Sequence, residues 1–556
     1  MKKTLSLLLA LLMLLALLTG CDSKPGDPGS TAAPDTTAAA EPPQTEGGEL
    51  ALPVPQGLTP TQDNARVFYE IFVGSFSDSD GDGVGDLRGI INRMDYLNDG
   101  DESSGKSLGV EGLWLSPIFR SPSYHKYDVT NYYEVDQSFG TLEDLKELAE
   151  LCHARNVKLI LDLPINHTST NNAWYISFAQ AHRDGNSADP WYDFYSFYSQ
   201  GQDAPAGRSF AQMPGTSDYY ECNFDGGMPE LNFDNPKVRE TVLDVAKFWL
   251  DLGVDGFRFD AAKYIYFGDN AASVDFWTLY MGELRAVKPD LYAVAEVWDG
   301  DGITGRYYPA LNCFNFTTSQ TEGLIAKTAQ GGDANRFTAY LGKYLASIAD
   351  TNPDAMYVPF IGNHDTDRTA GYLPSYSGRA QMAANLLLLC PGSPFIYYGE
   401  EIGMRGSRGG ANTDANRRLR MVWGDEDPVK DPQGATYDPD NRADSPVTAQ
   451  VAKESSLYNY YKKVILLRKA NPEIARGTYT PLELKDTKAG GFISQLGESR
   501  VCVLHNPTTK AVTLELSALG LTEFTVLRGF VGMEDCALEG TTLTLGAQSS
   551  AVLGGN

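Results

Sequence analysis

Four short blocks of the chain carry residues whose types and spacing could do chemistry. Gly256-Phe257-Arg258-Phe259-Asp260 puts a guanidinium two residues before a carboxylate, and side chains two apart on a strand share a face. An arginine so placed lowers the pKa of the acid by roughly 1–3 units and keeps it ionised, as a nucleophile requires. Ala295-Glu296-Val297-Trp298 sets an acid at the end of an apolar run, where desolvation raises its pKa and suits it to donate a proton. Gly362-Asn363-His364-Asp365 adds a third carboxylate beside an imidazole, and Asp162-Leu163-Pro164-Ile165-Asn166-His167 adds another of each. One ionised and one protonated carboxyl, with cationic and imidazole donors around them, can break a carbon–oxygen bond by acid-assisted attack of a carboxylate. Any one block could be a structural ion pair or a buried acid. Four in one chain argue for a site.

A second constellation stands apart from these. Asp78-Ser79-Asp80-Gly81-Asp82-Gly83-Val84-Gly85-Asp86 alternates acids with glycines, the make-up of a tight loop that wraps oxygen ligands round a hard cation such as calcium. It begins like an EF-hand, but the twelfth position is Gly89 and not the bidentate Glu, so an EF-hand is not expected. A solvated acidic turn is the alternative.

These residues need a scaffold that delivers them to one place. β-rich apolar runs occur at 67–73, 112–117, 157–163, 256–259, 291–297, 313–316, 356–361 and 395–398. Helical patterning lies between them, at 142–155, 236–252, 275–287, 336–348 and 379–389. Asn235 before Pro236 marks one helix start, a side-chain cap followed by proline in the first turn. Eight alternations predict an α/β fold, a (β/α)8 TIM barrel with its site at the C-terminal ends of the strands.

Two regions break the alternation. Residues 168–229 are irregular and rich in aromatics, including Trp174, Trp191, Tyr192, Phe194 and Tyr195. That length predicts a subdomain inserted after strand three, its aromatics forming a core of their own or stacking platforms. Residues 471–556 read as short Thr/Val/Leu strands between turn residues, a C-terminal antiparallel β-sandwich. The barrel is then assigned to 61–167 and 230–470.

The first sixty residues read differently. Lys2 and Lys3 precede a Leu/Ala run from Leu5 to Leu18, too short to span a bilayer and fitting a signal-peptide core. Leu18-Thr19-Gly20-Cys21 resembles a bacterial lipobox, which makes Cys21 a lipidation site after a signal peptide at 1–21. Ordinary cleavage nearby is the other reading. Residues 22–60 are Pro, Gly, Thr, Ala and acids with few large apolar side chains, a flexible spacer. The expected address is the outer face of the bacterial membrane, reached through this anchor alone.

Charge and cysteines narrow the partners. The 556 residues carry 45 Lys and Arg against 72 Asp and Glu, a net charge of −27, which argues against nucleic acid and anionic lipid but leaves a neutral polymer unaffected. Cys152, Cys222, Cys313, Cys390, Cys502 and Cys536 are widely spaced with no C-x-x-C, so zinc is not expected and pairing stays open. A monomer is expected.

Taken together, the four blocks resemble the four motifs of the α-amylase family, glycoside hydrolase family 13, from about residue 64 to the end. The resemblance implies a retaining hydrolase of α-glucans, with Asp260 as nucleophile, Glu296 as general acid/base and Asp365 as transition-state stabiliser. It implies that Arg258, His167 and His364 hydrogen-bond the sugar whose bond is cut, and that Asp162 orients Arg258. Tyr124-His125-Lys126-Tyr127 is similar to the segment in which a Tyr stacks on that sugar and a His donates beside it, here Tyr127 and His125. Lys126 stands where the family usually has Gly. Tyr397-Tyr398-Gly399-Glu400-Glu401 matches the eighth-strand block.

The acidic run resembles the calcium loop of oligo-1,6-glucosidases and related amylases, which implies a structural calcium held by Asp78, Asp80, Asp82, Asp86 and the carbonyl of Val84. A second calcium, between barrel and insert, is not expected, because Tyr264 stands where the family places a His. Ala261 follows the nucleophile where α-1,6-specific relatives commonly carry Val. Met228-Pro229-Glu230-Leu231-Asn232 resembles the block of lipoprotein-type α-amylases intermediate between oligo-1,6-glucosidases and neopullulanases, with Glu230 in the usual place of Asp. These features favour cleavage of α-1,4 bonds in starch, glycogen or maltooligosaccharides. Cyclomaltodextrinase or oligo-1,6-glucosidase activity is the alternative within the family, and a non-catalytic glucan-binding lipoprotein the alternative outside it. Trp298, beside the acid, stacks on a leaving-side sugar or packs.

Overall fold

The computed structural model describes residues 54–55 and 58–555. Cys21, the run before it and most of the spacer lie outside them. Among the described residues no helix is long and apolar enough to cross a membrane.

A parallel sheet runs through the strands Asn312–Cys313, Tyr292–Ala295, Gly256–Phe259, Lys158–Leu163, Gly112–Leu115, Phe68–Ile71 and Phe395–Tyr397, in that spatial order. These are barrel strands six, five, four, three, two, one and eight. The ring closes through the extended segment at 357–361. Phe314 bridges Val358 in parallel, and the amide of Phe395 donates to the carbonyl of Pro359 at 2.9 Å. Strand seven, expected over 356–361, thus makes sparse ladder contacts, and the chain leaves it at once for the loop that carries His364 and Asp365. Gly256 has a packing reason: a Cβ there would collide with the carbonyl of Tyr292 on strand five.

The barrel interior is filled by Phe68, Trp114, Ile160, Tyr292, Val294, Phe314, Val358, Phe360 and Phe395, as a closed eight-stranded barrel demands. The outer faces of the strands pack on the helices. Thr141 and Asp144 form a capping box that starts Leu142–Ala154, and Asn235 caps Pro236–Asp251 with Pro236 in the first turn. One helix begins earlier than its apolar pattern indicates, at Asn270 and not 275. The carboxylate of Asp269 accepts the amides of Ala271 and Ala272, and a cap fixes a helix start ahead of the first buried side chain.

After strand three, the helix Ala173–Arg183 and a three-stranded sheet of Phe197–Tyr198, Tyr219–Glu221 and Phe210–Gln212 stand between that strand and the helix Pro236–Asp251. Tyr175, Phe178, Phe194 and Tyr195 are buried in mutual ring contacts, so these aromatics form a core. Toward the C-terminus, a five-stranded antiparallel sheet packs with a three-stranded one over Cys502, Leu504, Leu514, Leu543, Leu545 and Leu553. The six described cysteines are free and buried.

Candidate active site

Strand four ends in Arg258 and Asp260 on one face, as the spacing of two requires. Arg258 is fully buried and organises the site. Its Nη1 lies 2.8 Å from Asp162 Oδ1 on strand three and 2.6 Å from Asp260 Oδ1, and its Nη2 lies 3.2 Å from Glu296 Oε2 beyond strand five. Three acids from three adjacent strands therefore share one guanidinium. A buried cation is stable only with such compensation.

Around this centre each acid meets a different field. Burial raises the pKa of Glu296, and the charges of Asp260 and Asp365 add to that against the pull of Arg258. For Asp365 burial also acts upward. His364, whose Nε2 is 3.0 Å from Oδ2, and Arg418, whose Nη2 is 2.7 Å from Oδ1, outweigh it and hold the carboxyl well below the usual range. The two acids are driven apart, one toward proton donor and the other toward permanent anion.

The imidazoles divide similarly. His364 sits with Nδ1 2.6 Å from Glu70 Oε1, and although burial opposes its charge, Asp365 and Glu70 push its pKa up to about 10. His125 is pushed down to about 4 by burial, and its Nδ1 accepts the amide of Tyr127 at 3.2 Å, which leaves Nε2 as the ring's donor. His167, buried at the end of strand three and also shifted down by burial, leaves Nε2 without a partner. A buried donor without a partner is costly, and a ligand hydroxyl would satisfy it. Tyr127 donates to Asp162 Oδ2 at 2.8 Å and stacks on His364.

Lys126 stands at φ +66, in the left-handed region where a glycine costs least. The lysine is held there by its ammonium, 3.0 Å from Asp136 Oδ2 and over the Phe139 ring. The block Met228–Asn232 lies beside strand three's end: Glu230 bridges His167, and its carboxyl, shifted well up by burial, takes the Asn166 amide. Trp298, 41% exposed, stacks at 13° on Phe316, and Phe224, 46% exposed, rests on His167 and Tyr264. A cleft of about 400 Å³ is lined by Trp298, Gln320, Asp365, Arg408 and Arg417.

Three members of the site were not singled out by the sequence, two of them lying outside every quoted block and the third inside one without a role. Glu70 is a lone charge in an apolar strand, a pattern that could have marked it. Arg418, which also donates through Nε to the His364 carbonyl at 3.0 Å, sits in Arg417-Arg418-Leu419-Arg420 and reads as surface charge. Tyr124 opens the block Tyr124-His125-Lys126-Tyr127, and its part in the site, accepting from Arg418 at 3.1 Å, shows only in the fold.

In the acidic run, Asp78, Asp80 and Asp86 bring carboxylate oxygens within 4.8 Å of one another, and none of the three is ion-paired among the described residues. Asp78 accepts the amides of Gly81 and Gly83, while Asp86 accepts Gly89 and so also caps the helix Leu87–Asn92. Three unneutralised carboxylates at this spacing suit a hard cation. Asp82, next in the run, is not one of the three, and its carboxylate accepts the amide of Val84 at 2.7 Å.

Comparison with known proteins places this geometry. Residues 70–477 match the alpha-amylase catalytic domain. The chain is similar to Alpha-amylase 3 of Dictyoglomus thermophilum, 36% identical over 446 residues that make up 79% of this chain and 84% of that one. It is 29% identical to an oligo-1,6-glucosidase of Parageobacillus thermoglucosidasius over 530 residues, 81% and 91% of the two chains. Among solved structures, Eubacterium rectale Amy13B superposes with a TM-score of 0.82 at 34% identity, covering 90% of this chain and 97% of that one. The chain belongs to the alpha-amylase family, glycoside hydrolases that act on α-glucans.

Proposed function

We propose that this protein hydrolyses α-1,4-glucosidic bonds of starch-type glucans with retention of configuration. The observation that carries the proposal is Arg258, which holds Asp260 and faces Glu296 from the two nitrogens of one guanidinium. That arrangement suits the short separation, roughly 5–5.5 Å, of a nucleophile and acid in retaining enzymes. Asp260 attacks the anomeric carbon while Glu296 protonates the departing oxygen, giving a glycosyl ester on Asp260. Glu296, now ionised, takes a proton from water, which attacks the same carbon and releases Asp260. Asp365, held anionic, and His364, His167 and His125 bind the hydroxyls of the sugar as it flattens, with Tyr127 against its face. Trp298 receives the leaving-side sugar. Ala261 in place of Val supports α-1,4 over α-1,6 specificity.

Asp78, Asp80 and Asp86 would hold a structural calcium with oxygens left over from their backbone hydrogen bonds, as a hard cation prefers. The lipobox supports display on the outer face of the membrane through Cys21. Loss of labelled palmitate from a Cys21→Ser protein expressed in bacteria would confirm the anchor, and equal labelling would refute it.

The activity is tested by incubating the protein and its Asp260→Asn variant with soluble starch, pullulan, β-cyclodextrin and isomaltose. Mixed maltooligosaccharides of α configuration from starch, by wild type alone, are expected. Faster attack on β-cyclodextrin or isomaltose would replace the proposal with the other activities of the family. No product from any substrate would leave a binding protein.

A further inference from the structure

The first barrel strand carries a buried charge that the reaction scheme does not use. Glu70 lies in Phe68-Tyr69-Glu70-Ile71 and is 1% exposed. A carboxylate so buried persists only when paired, and its partner is His364, Nδ1 to Oε1 at 2.6 Å. The other nitrogen of that ring, Nε2, is 3.0 Å from Asp365 Oδ2 and 2.7 Å from the oxygen of Tyr127. Tyr127 gives its own proton to Asp162 Oδ2, so toward His364 it can only accept. Asp162 in turn receives Arg258, which holds Asp260. One chain of hydrogen bonds thus runs from strand one through His364, Tyr127, Asp162 and Arg258 to Asp260.

We propose that Glu70 is a positioning residue of this active site, holding His364 as a donor at both nitrogens and thereby fixing Tyr127 and Asp365 toward the sugar. The role rests on the assignment of Asp365 and Asp260 above. A neutral His364 bonded to Glu70 through Nδ1–H would turn a lone pair at Nε2 toward Asp365. Tyr127 would then swing its hydroxyl to that lone pair and release Asp162, loosening the bracket on Arg258.

The groups facing the ring bear this out from every side. Glu70 approaches from strand one, Tyr127 and the edge of Trp114 from strand two and its loop, and Asp365 from the same turn. Asp162 and Arg258 lie behind Tyr127, and Arg418 binds the His364 carbonyl. Anions outnumber cations at the ring, and its displaced titration follows.

Glu70→Gln keeps shape and one acceptor while removing the charge. The protein contains six histidines, so its imidazole nitrogen NMR spectrum after histidine labelling is tractable, with His364→Gln identifying the resonance. In the wild type His364 should keep both protons through pH 8, and in Glu70→Gln it should lose one at least about one pH unit earlier. Where kcat falls with loss of the His364 proton, the fall should begin correspondingly earlier, leaving kcat up to about tenfold lower in the variant on that falling limb, with KM changed by less than about twofold. A wild-type His364 titrating near 6.5 would overturn the proposal even if the variant failed to fold. So would a variant with unchanged titration, or one whose pH profile is unmoved and only its melting temperature altered. A wild type inactive on every glucan would fall on the assigned reaction, and the NMR titration would still decide the role of Glu70.

Discussion

The backbone amide of Ala261 donates to Oε2 of Glu296 at 3.1 Å, so the residue following one carboxylate of the site holds the other. Ala261 does this from φ 47°, ψ 38°, in the left-handed region. A β-branched residue is strained there, and relief would move the amide away from Glu296. Ala261→Val should lower kcat/KM on maltotriose by about tenfold and raise the isomaltose-to-maltotriose ratio. Steady-state kinetics on both sugars test this. An unchanged ratio would remove Ala261 from linkage specificity.

The field around Glu296 bears on pH. Its pKa is raised first by burial and then by Asp260 and Asp365, so the protonated, donating form persists to higher pH than for a free Glu. Activity that needs that proton is lost as pH rises through the raised value. Glu296→Gln should cut turnover of starch by about 10³-fold or more but act far better on a glucosyl fluoride, whose leaving group needs no proton. The limb set by Glu296 should vanish with the fluoride, leaving only the loss that follows His364 at higher pH. A limb that survives in the variant belongs to another group.

Asp78, Asp80 and Asp86 bring their carboxylate oxygens together, and among the described residues none of the three is ion-paired. Binding of calcium to the folded state alone stabilises it by mass action, so chelation should lower the melting temperature by about 5 °C or more. Activity at low temperature should fall less, since the loop is not among the residues at Arg258. Asp78→Asn should flatten the calcium dependence. A melting curve indifferent to EDTA would count against a calcium site.

His505 lies wholly buried in the C-terminal sheet, Nδ1 2.7 Å from Ser550 Oγ, and burial pushes it down to about 3. In the unfolded chain it titrates near 6.5. Between these values the unfolded state binds the extra proton, so this contribution is intact above pH 6.5 and drains away as pH falls toward 3. His505→Gln should show a shallower loss of melting temperature across that window than the wild type. Parallel curves would place the acid sensitivity elsewhere.

Some of this protein is written locally. The alternation of apolar strands and capped helices specifies the barrel, because period-two and 3.6-residue patterns each bury one face. The pairing of Arg258 with Asp260 follows from their spacing of two on a strand. The glycines and acids of 78–86 specify a loop that collects carboxylates. Other features exist only because the barrel closes. Glu70 meets His364 across 294 residues, Arg418 reaches Asp365 across 53, and Ala261 holds Glu296 across 35. No local pattern encodes such contacts, since they depend on which strands become neighbours and where a loop turns back. In the acidic run, likewise, the turn of the backbone decides which carboxylate oxygens come together, those of Asp78, Asp80 and Asp86, and which amides they accept. The residue types of the site were local information, while their charges and orientations come from side chains that only the tertiary fold brings within hydrogen-bonding distance.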